Sequence, residues 1–552
     1  MEFRNRNLVL SLLLLLSLSV PPSLSFTAFS PVDNHLVNCG SAEDATVDNR
    51  RFVADGSSRR KSPFCHSDSS VSLRNDNALL DSPQLYDSAR VFRRPSKYEF
   101  EIREKGTHMV RFHFYNLNSF RFDSIDAQFH VLIDGFVALS NFTSGNSMKP
   151  AIKEYLISIN SDRLVIRFLP SGTSKFAFVN AIEVISAPKD LVPETAQFVD
   201  SQKVENFDGL KNQALEVVYR LNVGGPKVTP FNDTLWRTWL PDDEHLRSSF
   251  GSERLYFGGR IKYQTGGASR EIGPDNVYKS ARLIRSHNSS ISNVNITWGF
   301  SVTKGYKYLV RMHFCDIASI SLELLFFNVY VNGNLAYKDL DLSEVTGWML
   351  SSPFYADFVV DQSDSDFLSV SVGPSNKSMA YAIDGILNGV EIMKLNNSMG
   401  SLDGSDCAGL VLGRWPQRGG GLLIPLIAAV LLVLSLSIVL RRRFTFGSQE
   451  PVAWSKLPVD VSEVSAKQGV VNVFRAQSVV FPTVFHVRGK QGWTGSKLNL
   501  LTRPSSSIHG ENNPVGSSHK PLPPNRWLGF STRRNCDRIA QQSLVRFRLP
   551  WF

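Results

Sequence analysis

The sequence predicts an all-β protein: two tandem β-sandwich domains of jelly-roll type, followed by one transmembrane helix and a disordered tail. Three observations carry this reading. Short β-branched and aromatic runs alternate with polar residues at period two, the same runs return in the same order about two hundred residues later, and no long stretch ahead of residue 419 holds a helical period. Antiparallel sheets packed face to face satisfy all three.

The repeat sets the domain boundaries. Residues 108–117 read HMVRFHFYNL and residues 308–317 read YLVRMHFCDI; upstream, the YDSAR of 86–90 returns as YKSAR at 278–282. Downstream, FHVLIDG answers FNVYVNG, RLVIRFLPS answers FLSVSVGPS, and VNAIEVI answers LNGVEIM. With LVNCG against LNVGG at the start, six blocks in fixed order indicate a duplicated unit. We place domain 1 at residues 33–188, a polar connection carrying Pro193 at 189–215, and domain 2 at 216–396. In the first copy Val110, Phe112 and Phe114 alternate with Arg111, His113 and Tyr115; in the second, Val310, Met312 and Phe314 alternate with Arg311, His313 and Cys315. Such strands turn one face to a core.

The ends of the chain predict its topology. Residues 1–25 carry Arg4 and Arg6, an apolar run from Leu8 to Val20, and Ser23-Leu24-Ser25, which together read as a cleavable signal peptide. Residues 397–418 are read as an extracellular juxtamembrane stretch, and the uncharged run 419–440 is long enough to span a bilayer. Arg441-Arg442-Arg443 follow and place the C-terminal side in the cytoplasm. The expected location is therefore the plasma membrane, single-pass, with the N-terminus outside.

Charge and cysteine usage agree. The tail, 441–552, holds 17 Lys or Arg against 5 Asp or Glu, so the overall +10 leaves −2 for the remainder. The basic balance belongs to the tail and suits anionic lipid headgroups; it gives the large N-terminal part no nucleic-acid partner. Six sequons, at Asn141, Asn232, Asn288, Asn295, Asn376 and Asn396, all fall between the signal peptide and the membrane run. The five cysteines do not make a disulfide framework; Cys39 with Cys65 is the candidate pair by proximity, and Cys315 reads as a buried thiol.

The run LVRMHFCDIASISLELLFFNVYVNGNLAYKDLDLS, with YADFVVD, VSVGPS and AIDGILNGVEI, resembles the extracellular parts of plant malectin-like receptor kinases of the FERONIA and THESEUS type. The resemblance covers roughly residues 33 to 460. It implies malectin-like domains and a cell-surface receptor that monitors the wall. The partners it implies are a secreted peptide of the rapid alkalinization factor type, a GPI-anchored co-receptor, and pectin or another wall glycan. A kinase needs a Gly-rich loop, a strand Lys, an H-R-D loop and a D-F-G metal site, none of which stands in residues 441–552. No catalytic activity is therefore expected of these residues, the alternative being a truncated receptor serine/threonine kinase.

Other chemistries find little support. Eleven histidines show no HExxH or paired Cys/His spacing, so no metal or other cofactor is expected. The Asp361, Asp364 and Asp366 cluster lacks the Gly and terminal Glu of an EF-hand and reads as a solvated turn. His113 and His313 read as structural residues kept by duplication, with a binding role as the alternative. Ligands are held by aromatic faces beside polar side chains, which makes Tyr86, Tyr115 and Asp134 in the first copy, and Tyr278 and Asn332 in the second, the binding candidates. Trp236 and Trp239, in WRTWLPD, read as packing residues. The cleft between the domains is the expected peptide-binding face.

Overall fold

The computed structural model describes residues 29–414, apart from short internal stretches, and a helix at Leu423–Thr445. The signal peptide, Asn288, Cys536 and the tail beyond residue 445 lie outside the described residues.

One sheet of 13 strands runs through both copies of the repeat. Its middle strand, Leu215–Asn222, pairs antiparallel with Gly389–Leu395 of its own copy on one side. On the other side it pairs with Ala151–Ile159 of the first copy, Leu156 opposite Leu215 and Tyr155 opposite Glu216. The sheet continues through Gly106–Phe114 and Ala181–Ser186 in the first copy, and through Tyr306–Cys315 and Pro353–Gln362 in the second. Among the described residues, two further sheets of five strands each and two of three strands each complete the layers.

The apolar alternation seen in the sequence fills the space between layers. Val110, Phe112 and Phe114 are buried with Tyr98, Val131, Ile133, Ile166 and Phe168 in one cluster. Val310, Met312 and Phe314 are buried with Trp298, Phe300, Val329, Val331, Val370 and Val372 in a second. The tight hairpins of both five-stranded sheets turn at Asp134-Gly135 and Asn332-Gly333, where all four residues have positive φ. Short polar side chains and glycine tolerate that region, which explains the D-G and N-G pairs in the two copies.

The opposite face of the long sheet differs from a simple one-sided strand. Arg111, His113, Arg311 and His313 are buried too, alongside Met109, Leu156, Ile185, Leu215, Leu309, Val359 and Met393. Part of the cover comes from the segment read as a connection. Leu191, Val192 and Leu210 anchor it, and its hairpin Thr195–Val199 with Val204–Asp208 extends the long sheet beside Pro353–Gln362. Three apolar residues spaced among polar ones suffice to fold a stretch whose average composition reads as linker.

The helix Leu423–Thr445 belongs to a separate unit. Among the described residues no helix is long and apolar enough to cross a membrane.

Phe112 and Met312 are each fully enclosed, Phe112 against the rings of Phe114, Tyr155 and Phe168. Phe112→Asp and Met312→Asp should each destabilise the protein by several kcal/mol, because an unpaired charge enters an apolar layer. Chemical denaturation of each variant against the parent measures the loss.

Candidate functional site at the junction of the copies

Charged residues occupy successive strands on the covered face of the long sheet and alternate in sign. Arg50 donates to Glu183 at 2.6 Å, Arg111 donates to Glu183 at 2.6 Å and to Glu154 at 2.7 Å, and Arg220 donates to Glu154 at 2.7 Å and also to Glu391. Arg311 stands across from Glu391 in register and makes a two-pronged pair with Asp357 at 2.8 and 2.7 Å. Each of these side chains, Asp357 included, is at least nine-tenths buried. Burial alone would raise the Glu154 carboxyl, but Arg220 and Arg111 bring it down to about 2. Burial acts the same way on Glu183 and Glu391; Arg111 chiefly holds the first well below the ordinary carboxylate range, and Arg220 the second.

A second duplicated constellation hangs from this row. In the first copy the Tyr86 hydroxyl lies 3.0 Å from His113 Nδ1, and His113 Nε2 lies 2.8 Å from Glu183. An ionised Glu183 only accepts, so Nε2 carries the proton and Nδ1 accepts from Tyr86. In the second copy Tyr278 lies 3.1 Å from His313 Nδ1, while His313 Nε2 stands 3.8 Å from Glu391. Burial lowers the His313 pKa below the ordinary histidine value.

The two constellations differ in what lies over them. In the second copy Trp239 stands edge-on against His313, ring centroids 5.3 Å apart, and donates its indole N–H to Asp233 at 2.9 Å. In the first copy Tyr86, His113, Arg111 and Glu183 line a cavity of about 310 Å³ that reaches across the junction. The second copy adds Arg220 and Trp236 to its wall, and Ile152, Val218 and Leu240 stand exposed at its edge. Trp236 has φ of 55°, its N–H donates to the Asp233 carbonyl at 2.9 Å, and the Arg50 guanidinium sits 4.9 Å from its ring centre.

Of the five residues singled out in the sequence, the structure brings two together. Tyr86 lines the cavity and Tyr115 stacks beside it, ring centroids 5.4 Å apart. Tyr278 is fully buried, and Asp134 and Asn332 sit at hairpin corners, where the Asn332 side chain accepts from Ser369 N–H at 3.0 Å. Sequence reasoning missed Arg50, Glu154, Glu183 and Arg220 as site residues and took Trp236 for packing. Glu183 and Glu391 do stand at matching places in VNAIEVI and LNGVEIM; that recurrence was the available signal. Among the sequons, Asn141, Asn232 and Asn376 are exposed, Asn295 is half-buried, and Asn396 is half-buried with its side chain accepting from Ala214 N–H at 2.7 Å. Cys39 is buried and Cys65 pairs across from Tyr98, whose hydroxyl donates to Asp55 at 2.6 Å; the expected Cys39–Cys65 disulfide is not formed in the structure, and burial raises both thiols, Cys65 to about 11.

Residues 37–395 match the model of the malectin-like domain. The chain belongs to the malectin-like family. It is 44% identical over 381 residues to a probable receptor-like protein kinase of Arabidopsis thaliana, covering 68% of this chain and 46% of that protein. To the Arabidopsis receptor-like protein kinase THESEUS 1 it is 37% identical over 392 residues, 69% of this chain and 44% of the relative. The chain thus spans less than half the length of these curated relatives. Among solved structures, the ANXUR1 extracellular domain of Arabidopsis thaliana superposes with a TM-score of 0.61 at 27% identity, over 68% of this chain and 99% of that one. The plant protein FER, solved in complex with the peptide RALF23 and with LLG2, gives 0.59 at 30% identity, over 68% of this chain and 99% of that one. The malectin-like fold and the resemblance to receptor extracellular parts therefore stand.

The charge row generates two predictions. Glu154→Gln leaves Arg111 and Arg220 short of a partner and should cost about 3 to 5 kcal/mol in urea unfolding, whereas Glu154→Met with Arg220→Met should recover part of that loss. The second concerns acid. Glu154 titrates at 4.5 in its ordinary state and at about 2 in the fold, so its stabilisation is complete above pH 4.5 and disappears as pH falls toward 2. Thermal melting from pH 6 down to pH 2 should show that loss in the parent and a shallower one in Glu154→Gln.

Proposed function

We propose that this chain is the ligand-binding part of a cell-surface receptor-like protein that takes a secreted peptide at the junction cavity. The single observation behind the choice of site is that the cavity is built from both copies, with aromatic and aliphatic side chains standing over a floor of ion pairs. Every arginine of that floor is already paired with a glutamate, so no guanidinium is left over for a polyanionic wall glycan such as pectin. An apolar or aromatic peptide side chain fits the remaining surface better. The complex solved for FER, with a peptide and LLG2, supports a ligand of the rapid alkalinization factor type with a GPI-anchored co-receptor for this chain too.

The supporting topology is a signal peptide at 1–25 and a membrane crossing at 419–440 before Arg441, with glycans at the exposed sequons. Where no kinase portion accompanies it, such a receptor part would sequester peptide and co-receptor. A second reading is favoured by the names and lengths of the relatives: the chain is the extracellular portion of a receptor serine/threonine kinase. Transcript sequencing across the codons near residue 468 separates the two, since only the second gives a frame with H-R-D and D-F-G.

Titrating the glycosylated protein, residues 26–417, with a panel of rapid alkalinization factor peptides and with oligogalacturonide tests the site. Trp236→Ala should weaken the best peptide at least ~30-fold, equivalent to about 2 kcal/mol for a central aromatic anchor. Undiminished peptide binding by that variant, or binding of oligogalacturonide alone, would remove the reading.

A further inference from the structure

The last strand of the second copy ends at Leu395, and the chain does not leave from there. It turns tightly, with the Asn397 side chain accepting from the N–H groups of Met399 and Ser401 and with Gly400 at φ 72°. It then crosses to the first copy. Val137 N–H donates to Gly400 O at 3.0 Å and Leu402 N–H donates to Val137 O at 2.8 Å, so Ser401 pairs parallel with the outer strand, Phe136–Phe142, of the first copy's five-stranded sheet. Ser140 N–H donates to the Asp403 carboxylate at 2.8 Å. Leu402 is fully buried among first-copy residues. Farther on, the short helix Ala408–Gly413 sets Val411 against Leu132, Val137 and Leu169.

The second copy also touches this segment: the Tyr306 hydroxyl donates to Gly404 O at 3.1 Å. The attachments to the first copy are more numerous and include the buried side chains. We propose that residues 397–413 are a strap that makes the first copy, rather than the second, the anchor of the chain's exit, so that a shift between the copies moves the stem that follows. The claim rests on geometry within this chain and stands whether or not the junction cavity takes a peptide. If it does, the strap joins a site walled by both copies to the chain's exit from the first copy.

Hydrogen exchange on the glycosylated protein, residues 26–417, tests it. The amides of Leu402, Val137 and Ser140 should exchange within about tenfold of the central strand amide of Val110, since a loop amide would exchange orders of magnitude faster. Leu402→Ser, which keeps the backbone but removes the buried side chain, should speed exchange at those three amides at least ~10-fold and leave Val310 and Val390 unchanged. Spin labels at Lys97 in the first copy and Arg414 at the stem should show a narrow distance distribution in the parent and a broad one in Leu402→Ser. Loop-like exchange of Leu402 in the parent, uniform loosening of both copies, or a broad parent distribution would each overturn the strap. Because no ligand enters this experiment, its failure is distinct from failure of the peptide-binding reading.

Discussion

Glu154 and Arg220 lie 2.7 Å apart where the two copies meet, and the join depends on that pair and its neighbours. Removing an ion from water costs several kcal/mol, and attraction offsets the cost only where geometry is good and each remaining lone pair is met. Glu154 sits between two arginines and Arg220 between two glutamates, so each burial is compensated on both sides. Strand register is then no longer free. A slip of one residue would turn Arg111 and Glu154 toward the aromatic core and bring Phe112 and Tyr155 out, at a cost no local rearrangement could recover. The continuous 13-stranded sheet follows from this requirement as much as from its backbone hydrogen bonds.

Duplication has kept the constellation but not its surroundings. Both copies hold a tyrosine, a histidine and a glutamate in one line, yet Trp239 closes over the second set while the first lines a cavity. The residue that reaches into the first set from the other copy is Trp236, held by its own bond to Asp233 and by the Arg50 guanidinium. Two tryptophans three positions apart thus have opposite roles. One completes a core, and the other gives the junction an aromatic wall.

Much of the fold was legible because it rests on local rules. Period-two alternation gave the core faces of Gly106–Phe114 and Tyr306–Cys315, whereas Asp134 and Asn332, read as binding candidates, are the D-G and N-G corners of other hairpins. The site was less legible, for a physical reason. Glu154 and Arg220 lie outside the repeated blocks, and a charged residue on a strand ordinarily signals water, not a partner in another copy. Tyr86 and Tyr278 look alike in sequence and both are buried, yet only Tyr86 lines the cavity, since Trp239 closes over the second set. The segment 397–413 reads as part of a juxtamembrane stretch because two spaced apolar side chains, Leu402 and Val411, carry its packing against the first copy.

The row of charges also has a direction. Each copy presents a base at one end and an acid at the other: Arg50 to Glu154 in the first, Arg220 to Asp357 in the second. Where the second copy places Arg220 opposite Glu391, the first places apolar Leu36 opposite Glu183. Like dominoes, the units join only head to tail in the order found. A chimera that exchanged the halves, or that took one half from a relative with different charges at these positions, would part Glu154 from Arg220 and leave a buried carboxylate with only one of its two cations. Recombination between relatives is therefore constrained by the parity of charge across a single seam, the same seam that floors the junction cavity.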